Sequence, residues 1–347
     1  MIMTVLERVE SLRTRNQKNL KSINKDLYRL ICTKDLLQIA YISSNSTSEN
    51  VDSGTNIKTR YNRFTTFILE ETINELKKKS FITISRRTKT IKKENKTTFD
   101  ISFTSLKNRI IKNAIVLILE SIYEPSFCSY TNNFEKNYYC TRTIRKIKNQ
   151  WENIKWIIQG DFNKYPIIIN PEILIKILRK KIQDEKFLSL VWNVVQSNLD
   201  LNNTNKPNKL GLLLSNIYLS EFDVMFEELE FRMSRLFVEE KQINPLTITT
   251  KSEIEFSICK NKSKPKEVHL IRSGKTWIIA ISGCKKLAEK TKKIVTLFLT
   301  TKLRLIAETI NITYLPKSKT RFLGYLLIKK KSLLGINTLH QIKKIKC

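Results

Sequence analysis

The stretch Ile154–Asp161, with the sequence IKWIIQGD, decides the fold of this chain. Side chains alternate along Ile154–Gln159, and a period of two residues predicts a β-strand with one mostly apolar face. Asp161 follows Gly160 at the end of that strand. A carboxylate that a sheet holds rigidly is suited to bind a metal ion, and it is equally suited to cap a turn. The choice depends on whether other carboxylates lie nearby in the fold.

Helices and strands alternate on both sides of this stretch. Residues 1–45 have apolar residues at helical spacing, and residues 43–60 read as a polar loop. Further helices are predicted at Phe67–Leu76, Leu106–Tyr123, Glu172–Asn198, Asn216–Met233 and Cys284–Leu303, and further strands at Val268–Ile271, Trp277–Ile281, Ile310–Tyr314 and Phe322–Ile328. The turn Ser273–Thr276 predicts a tight hairpin. This order predicts an α+β fold with a small, largely antiparallel sheet packed by helices.

The chain is strongly basic. Its 347 residues include 63 Lys and Arg against 32 Asp and Glu, which gives a formal net charge of +31. An excess of this size predicts a polyanionic partner, nucleic acid first and an anionic membrane surface second. A bias toward AT-rich codons, which raises the lysine content without selection for binding, is the alternative explanation.

Two other classes of site are not expected. No apolar run reaches the ~18 residues that a membrane span needs, so no membrane partner is predicted. The 6 cysteines have no Cys-x-x-Cys spacing, so a zinc site is not predicted either. We therefore expect no cofactor held by the protein.

The positive charge is densest between Lys77 and Lys96, where Glu94 is the one acidic residue. Interleaved apolar residues predict a basic β-hairpin that contacts a nucleic-acid backbone, and a solvated charged face is the alternative. Contacts of this kind weaken steeply with salt, because each neutralised phosphate releases condensed counterions. Arg272, beside the second hairpin, could touch phosphate or equally brace that hairpin. The full set of candidate RNA-binding residues is Lys77, Lys78, Lys79, Arg86, Arg87, Lys89, Lys92, Lys93, Lys96, Arg272, Lys329, Lys330 and Lys331.

Six blocks of sequence follow one another in an informative order. They are LYRLICTKDLLQIAY with DSGTN (27–41 and 52–56), KNRIIKNAIVLILESIYEPSF (107–127), WIIQGDF (156–162), LLLSNIYLSEFD (212–223), IRSGKTWIIAISG (271–283) and RFLGY (321–325). In this order they resemble blocks of the group II intron-encoded reverse transcriptases and maturases of organelles, among them "DRIVQ…LEPIYEP.F", "SPLLANIYLHELD", "RYADDFVIG" and "FLGY". Each block alone is weakly specific, and their shared order makes the resemblance specific. It leans toward the maturases of euglenoid plastids.

The resemblance implies a particular domain organisation. Residues 1–50 would form a helical N-terminal extension, 51–150 a fingers-like region, 151–328 a palm-like region and 329–347 a basic tail. Reverse-transcriptase-like fingers and palm are therefore expected. The chain ends shortly after RFLGY, so no complete thumb or maturase domain is expected.

The sequence departs from the family pattern at the positions of the metal-binding carboxylates. Active members hold two metal ions with three carboxylates, one after the first palm strand and two in the hairpin turn, as two-metal phosphoryl transfer requires. Asp161 stands at the first position, whereas Lys275 and Thr276 stand at the two hairpin positions. Lys275 would repel a divalent cation there. Asp161 is thus expected to be a vestigial metal residue, and no residue is expected to be catalytic.

With these departures, the resemblance implies a maturase-like RNA-binding protein that assists the excision of organellar group II or group III introns without reverse transcriptase activity. Intron RNA is the implied partner and would itself hold the catalytic Mg²⁺. A second protein that supplies the missing maturase domain is a further candidate partner. The implied compartment is the plastid stroma, with the mitochondrion as the alternative.

Two alternative functions stay open. A residual RNA-dependent DNA polymerase would have to recruit Asp223, Glu221 or Glu267 in place of the lost carboxylates, although Asp223 and Glu221 are expected to be surface residues of a helix. A decaying reading frame with only nonspecific RNA binding is the other alternative.

Overall fold

The structure, a computed structural model, describes residues 4–45, 57–78, 87–92, 98–103, 106–127, 144–162 (without 146, 150 and 152), 169–197, 209–242, 267–305, 307–331 and 337–344. It begins with helices α1 (Val5–Lys18), α2 (Leu27–Ile31) and α3 (Lys34–Asn45), and α4 (Ile57–Lys77) follows. Helix α1 starts with a capping box, in which the Thr4 hydroxyl accepts from the Glu7 amide and the Glu7 carboxylate accepts from the Thr4 amide. The helical character predicted for residues 1–45 is confirmed, with breaks before α2 and α3.

Strands β1 (Arg87–Lys92) and β2 (Thr98–Phe103) form an antiparallel hairpin. A hairpin is therefore present near the basic run Lys77–Lys96, although its second strand lies after that run. Helix α5 (Leu106–Tyr123) comes next and buries most of its residues, as its apolar spacing predicts. It ends in a short 3₁₀ turn, Glu124–Ser126, because Pro125 lacks the amide hydrogen that would continue the helix.

Strand β3 (Trp156–Phe162) is followed by two helices, α6 (Pro171–Arg179) and α7 (Glu185–Ser197). The prediction of one helix over Glu172–Asn198 is therefore wrong. Asp184 starts α7, since its Oδ1 accepts from the amides of Lys186 and Phe187, each at 3.1 Å.

The segment between α6 and α7 is held by a contact that is distant in sequence. The Asn24 amide donates to the Lys181 carbonyl at 2.8 Å, and the Gln183 amide donates to the Asn24 carbonyl at 2.9 Å. These bonds form an isolated parallel bridge between Asn24 and Ile182. Backbone groups that pair with residue 24 are not available to continue a helix.

Helix α8 (Lys209–Gln242) includes the predicted helix Asn216–Met233 and is longer at both ends. The remaining elements, in chain order, are β4 (Val268–Ser273), β5 (Thr276–Ile281), α9 (Lys285–Thr301), β6 (Ala307–Tyr314), β7 (Thr320–Phe322), β8 (Tyr325–Lys331) and β9 (Asn337–Lys344). The basic segment after Lys329 thus contains a strand. The strands and the helix predicted between residues 268 and 314 are present, with boundaries that differ by a few residues. The predicted strand Phe322–Ile328 is wrong, because a turn at residues 323–324 divides it between β7 and β8.

The described strands form three sheets instead of the one small sheet that was predicted. They contain two strands (β1-β2), four strands (β4-β5-β3-β6) and three strands (β7-β8-β9), and all their pairings are antiparallel. Strand β3 lies inside the four-stranded sheet, between β5 and β6. Helix α9 packs against β3 and β6. An α+β fold of helices and antiparallel sheets is therefore observed.

A hydrophobic core covers one face of β3, β4 and β5. It includes Trp151, Ile157, Ile278, Leu315 and Phe322, which are all at most 2% exposed. On β3, Gly160 lies directly under Trp277, and a Cβ at this position would come within 2.2 Å of the indole ring. Glycine is therefore required where β3 passes the Trp277 side chain.

The chain divides into two compact units. One consists of residues 1–126 and 168–218, and the other of residues 127–167 and 219–347. Helix α8 contributes residues to both. None of the described helices is long and apolar enough to cross a membrane.

Candidate functional site

Strand β3 brings Asp161 to the turn of the β4–β5 hairpin. In the antiparallel register of β3 and β5, Asp161 is opposite Thr276. The Phe162 amide also donates a hydrogen bond of 3.0 Å to the Lys275 carbonyl. Gly274 has φ +58°, a left-handed conformation that suits glycine and closes the turn tightly. The end of the strand and the turn are therefore adjacent.

The side chains at this junction do not fit a pair of divalent cations. Among the described residues of β3 and the β4–β5 turn, Asp161 is the one carboxylate, and Lys275 of the turn is an exposed cation. Two divalent ions need several anionic oxygens to hold them. In the part of the chain that the structure describes, no group of three or more His, Cys, Asp and Glu side chains could hold a metal ion. Asp161 Oδ1 is buried and has no hydrogen-bond partner among the residues that the structure describes, so it caps no turn within them.

Behind the hairpin turn, Arg272 of β4 forms a buried ion pair with Asp223 of α8. Arg272 Nε donates to Asp223 Oδ1 at 2.9 Å, and Nη2 donates to Oδ2 at 2.6 Å. The side chains of Arg272 and Asp223 are 1% and 10% exposed. A third guanidinium nitrogen, Nη1, lies 3.5 Å from the Gly274 carbonyl, on the turn itself. The bidentate pair therefore fixes the hairpin to α8.

This geometry corrects two expectations. Arg272 was a candidate phosphate ligand, but its guanidinium points into the protein, so it braces the hairpin. Asp223 was expected on the surface of a helix, but it is buried because it neutralises Arg272.

Strand register also bears on Glu267, a candidate substitute carboxylate. Glu267 precedes β4, and its amide donates to Ser282 Oγ at 2.7 Å. Val268 is opposite Ile281, whereas the hairpin turn lies at the other end, where Ser273 is opposite Thr276. Because Asp161 is opposite Thr276, Glu267 lies at the end of the hairpin away from Asp161. The structure does not bring the two carboxylates together.

The remaining candidate RNA-binding residues lie apart from this junction in sequence. Lys77 and Lys78 are exposed at the end of α4. Arg87, Lys89 and Lys92 belong to β1, and Lys329, Lys330 and Lys331 belong to β8. Lys79, Arg86, Lys93 and Lys96 lie outside the described residues.

The ion pair of Asp223 and Arg272 was not predicted from the sequence. Asp223 lies between the apolar residues Phe222 and Val224, and Arg272 directly follows Leu270 and Ile271. An isolated charge within an apolar run is the signal that marks a residue whose counter-ion lies elsewhere in the fold. The two residues are 49 positions apart, so the sequence alone does not pair them.

Comparison with known proteins identifies the relatives of this chain. No protein-family profile matches it. It is 24% identical over 359 residues to the group II intron-encoded protein LtrA of Lactococcus lactis subsp. cremoris, which covers 93% of this chain and 59% of that protein. It is 30% identical over 232 residues to Maturase K of Staurastrum punctulatum, which covers 60% of this chain and 39% of the relative. The uncharacterized mitochondrial protein ymf11 of Marchantia polymorpha is 24% identical over 217 residues, 57% of this chain and 29% of that protein.

These matches agree with the resemblance of the six blocks. The relatives of this chain are group II intron-encoded proteins and maturases. The chain spans about 59% of the length of LtrA and a smaller share of the other two relatives.

Proposed function

We propose that this chain is a maturase-like RNA-binding protein that assists the excision of organellar group II or group III introns and does not polymerise DNA. The observation that carries the proposal is the junction of β3 with the β4–β5 turn. Asp161 is opposite Thr276 and beside Lys275, where a polymerase of this family would need two more carboxylates. The strands and helices around the junction are intact, which fits a protein whose fold serves binding.

The proposal includes the organisation that the resemblance implies. Residues 51–150 would act as fingers and residues 151–328 as a palm, after a helical extension at 1–50. The net charge of +31 would attract the phosphate backbone of the intron. Mg²⁺ would be held by the RNA, and a second protein could supply a maturase domain. The plastid stroma is the proposed compartment. The mitochondrion is the alternative, and it is supported by one relative that is named as a mitochondrial protein.

The binding part of the proposal is tested by recovering RNA with the protein from the organelle and sequencing it. We expect intron RNA to be enriched over ribosomal RNA. Equal recovery of both would contradict a role in splicing and would favour nonspecific RNA binding.

Charge-neutralising variants test whether strand β1 contacts the RNA. A triple variant in which Arg87, Lys89 and Lys92 are changed to Gln tests this. The slope of log K (the binding constant) against log salt concentration should become less steep by about 2, because each phosphate contact on single-stranded RNA contributes about 0.7 to that slope. The matched control changes Lys285, Lys286 and Lys293 of α9 to Gln. All three control lysines are exposed, and their replacement removes the same charge. Equal effects of the two triple variants would argue against a contact at β1.

Polymerase activity is tested separately by primer extension on an RNA template with Mg²⁺ or Mn²⁺. We expect no extension by the wild-type protein or by Asp161→Asn. Extension by the wild type that is lost in Asp161→Asn would overturn the non-polymerase part of the proposal and leave RNA binding unaffected.

A further inference from the structure

The four-stranded sheet ends on one side at strand β6, whose outer edge pairs with no other strand in the described part of the chain. The opposite edge, β4, is tied to helix α8, because Arg272 and His269 contact Asp223 and Glu230 there. Backbone groups along a free edge can pair with another chain. Because β6 is 8 residues long, its outer edge offers enough length for such a pairing.

The register of β6 shows which of its backbone groups point outward. The Leu315 amide donates to the Lys155 carbonyl, and these two residues are opposite each other in the continued register of β6 and β3. Hydrogen-bonded and non-bonded pairs alternate along an antiparallel ladder, so Asn311 and Thr313 turn their backbone groups toward β3. The residues that turn their backbone groups away from β3 are Ile310, Ile312 and Tyr314.

Two of the outward carbonyls already accept hydrogen bonds. Lys292 Nζ donates to the Ile310 carbonyl at 2.5 Å. The Tyr314 carbonyl accepts from the amides of Lys317 and Ser318 at 3.2 and 3.1 Å. The outward groups without a hydrogen-bond partner among the described residues are the amides of Ile310, Ile312 and Tyr314 and the carbonyl of Ile312. These groups can therefore pair with an added strand.

Basic residues flank this edge at both ends of the strand. Lys302 and Arg304 precede β6, Lys317 and Lys319 follow it, and all of them are exposed. They form no ion pair in the part of the chain that the structure describes. Glu308 is the one acidic residue between positions 302 and 319. The edge therefore favours a partner strand that carries carboxylates.

A second copy of this chain is less suited to the edge. Two copies of β6 paired antiparallel about Ile312 would place the basic residues that follow the strand in one copy against those that precede it in the other. Like charges in such positions repel each other. RNA is also less suited, because its backbone has no regular row of amides and carbonyls to continue a sheet.

We propose that the outer edge of β6 binds an extended, acidic segment of another protein, which adds a strand to the sheet beside residues 310–314. Backbone hydrogen bonds provide the affinity, and the flanking cations provide the preference for acidic side chains. The inference goes beyond the proposed RNA binding and does not depend on it. It gives a second protein a defined place to attach to this chain.

The first test follows backbone amides of the full wild-type chain. The probe is an end-blocked peptide of alternating Glu and Val, as long as β6. Hydrogen exchange followed by NMR should show that the peptide newly protects the outward amides of Ile310, Ile312 and Tyr314. The amides of Asn311 and Thr313, which already pair with β3, should exchange as before. A peptide of alternating Lys and Val is the control and should protect none of them.

The second test removes one outward donor. Ile312→Pro lacks an amide hydrogen that β3 does not use, and proline is tolerated at such an edge position. The variant should bind the Glu-Val peptide about tenfold more weakly, because one peptide carbonyl loses its partner. The matched control, Ile312→Ala, shortens the side chain, keeps the amide and should bind the peptide like the wild type. Circular dichroism checks that both variants are folded.

The third test addresses the flanking charge. Lys317→Gln/Lys319→Gln should bind the Glu-Val peptide about fivefold more weakly at about 0.1 M salt, and the difference should disappear at about 1 M salt. The matched control, Lys18→Gln/Lys21→Gln, removes the same charge from exposed positions in the other compact unit. It should bind the peptide like the wild type.

Several results would overturn the proposal. They include no protection of the outward amides by the Glu-Val peptide, equal protection by the Lys-Val peptide, and equal weakening by Ile312→Pro and Ile312→Ala. Self-association of the wild type that Ile312→Pro abolishes would assign the edge to a second copy of the chain instead. Protection of the same amides by a single-stranded RNA oligonucleotide, without protection by the peptide, would assign it to RNA. Failure of the chain to bind RNA would contradict the proposed function and leave this inference in place.

Discussion

Arg272 and Asp223 carry opposite charges and are buried together, with side chains 1% and 10% exposed. Removing one partner of a buried ion pair takes away the counter-ion that this pair supplies to the other, which is more costly than losing both charges. Asp223→Ala should therefore lower the free energy of unfolding by about 3–5 kcal/mol, measured by urea denaturation.

The double variant Asp223→Leu/Arg272→Met serves as the control for the Asp223→Ala prediction. It removes both charges and should be much less destabilised than Asp223→Ala, because no buried charge is left unpaired. A second control, Glu230→Ala, removes the partner of His269, which is more exposed, and should have a small effect. An unfolding midpoint for Asp223→Ala equal to that of the wild type would contradict the prediction.

Gly160 and Trp277 provide a test of close packing in the four-stranded sheet. Gly160→Ala places a methyl group within 2.2 Å of the indole ring, and such overpacking costs about 1–3 kcal/mol. Thermal unfolding measures this loss. Combining Gly160→Ala with Trp277→Leu should cost less than the sum of the single changes, because the smaller side chain makes room. Strict additivity would show that the two residues do not meet.

Lys181 gives the stability a defined pH dependence. Its ammonium is buried without a hydrogen-bond partner in the described part of the chain, 5.2 Å from the centre of the Tyr123 ring. Burial lowers the pKa of Lys181 below its ordinary value of 10.5, since desolvation disfavours the charged form. In the pH window between the lowered pKa and 10.5, the unfolded chain binds more protons than the folded one, so stability rises with pH.

Lys181→Met should remove this dependence. The variant should be more stable than the wild type at neutral pH, and the difference should shrink as the pH approaches 10.5. Urea denaturation at a series of pH values provides the measurement. A difference between the two proteins that stays constant with pH would contradict the assignment.

The break between α6 and α7 depends on Asp184. Its Oδ1 caps α7, and its Oδ2 accepts from the Tyr28 amide at 2.7 Å. Asp184→Ala should cost about 2 kcal/mol or slightly more, because it combines loss of a cap with an unpaired amide. Asp184→Asn keeps the oxygen that caps α7 but places an NH2 group, which cannot accept, at the Tyr28 amide. It should therefore be less destabilised than Asp184→Ala by the value of the cap, about 1 kcal/mol. Chemical denaturation that shows the same loss for both variants would argue against capping.

The same elements show what the sequence predicts and what it does not. The β4–β5 hairpin was predicted well because its signals are local, a glycine-containing turn between two apolar runs. The α6–α7 break was missed because Asn24, far away in sequence, pairs with the segment between the helices. Asp161 was placed beside the turn through the family resemblance, whereas the Arg272–Asp223 pair depends on a packing contact that no local pattern contains.

The whole chain passes between its two compact units more than once, so neither unit is continuous in sequence. Residues 1–126 rely on contacts to 168–218, among them Asn24 with Lys181, Tyr28 with Asp184 and Glu120 with Lys209. The fragment 1–126 alone should therefore lack cooperative unfolding, as followed by circular dichroism with heating. Joining 1–126 to 168–218 through a short flexible linker should restore it. A cooperative transition in 1–126 alone would contradict this division.

Helix α8 has a consequence for the evolution of the family. Its residues up to Tyr218 pack in one unit, and those from Leu219 onward pack in the other. One residue inserted between Leu219 and Asp223 would turn the Asp223 side chain by about 100° about the helix axis, so it would no longer point at Arg272. Insertions and deletions of a single residue should therefore be rare in this helix among related proteins. Length changes between relatives are expected to accumulate in the connections between elements.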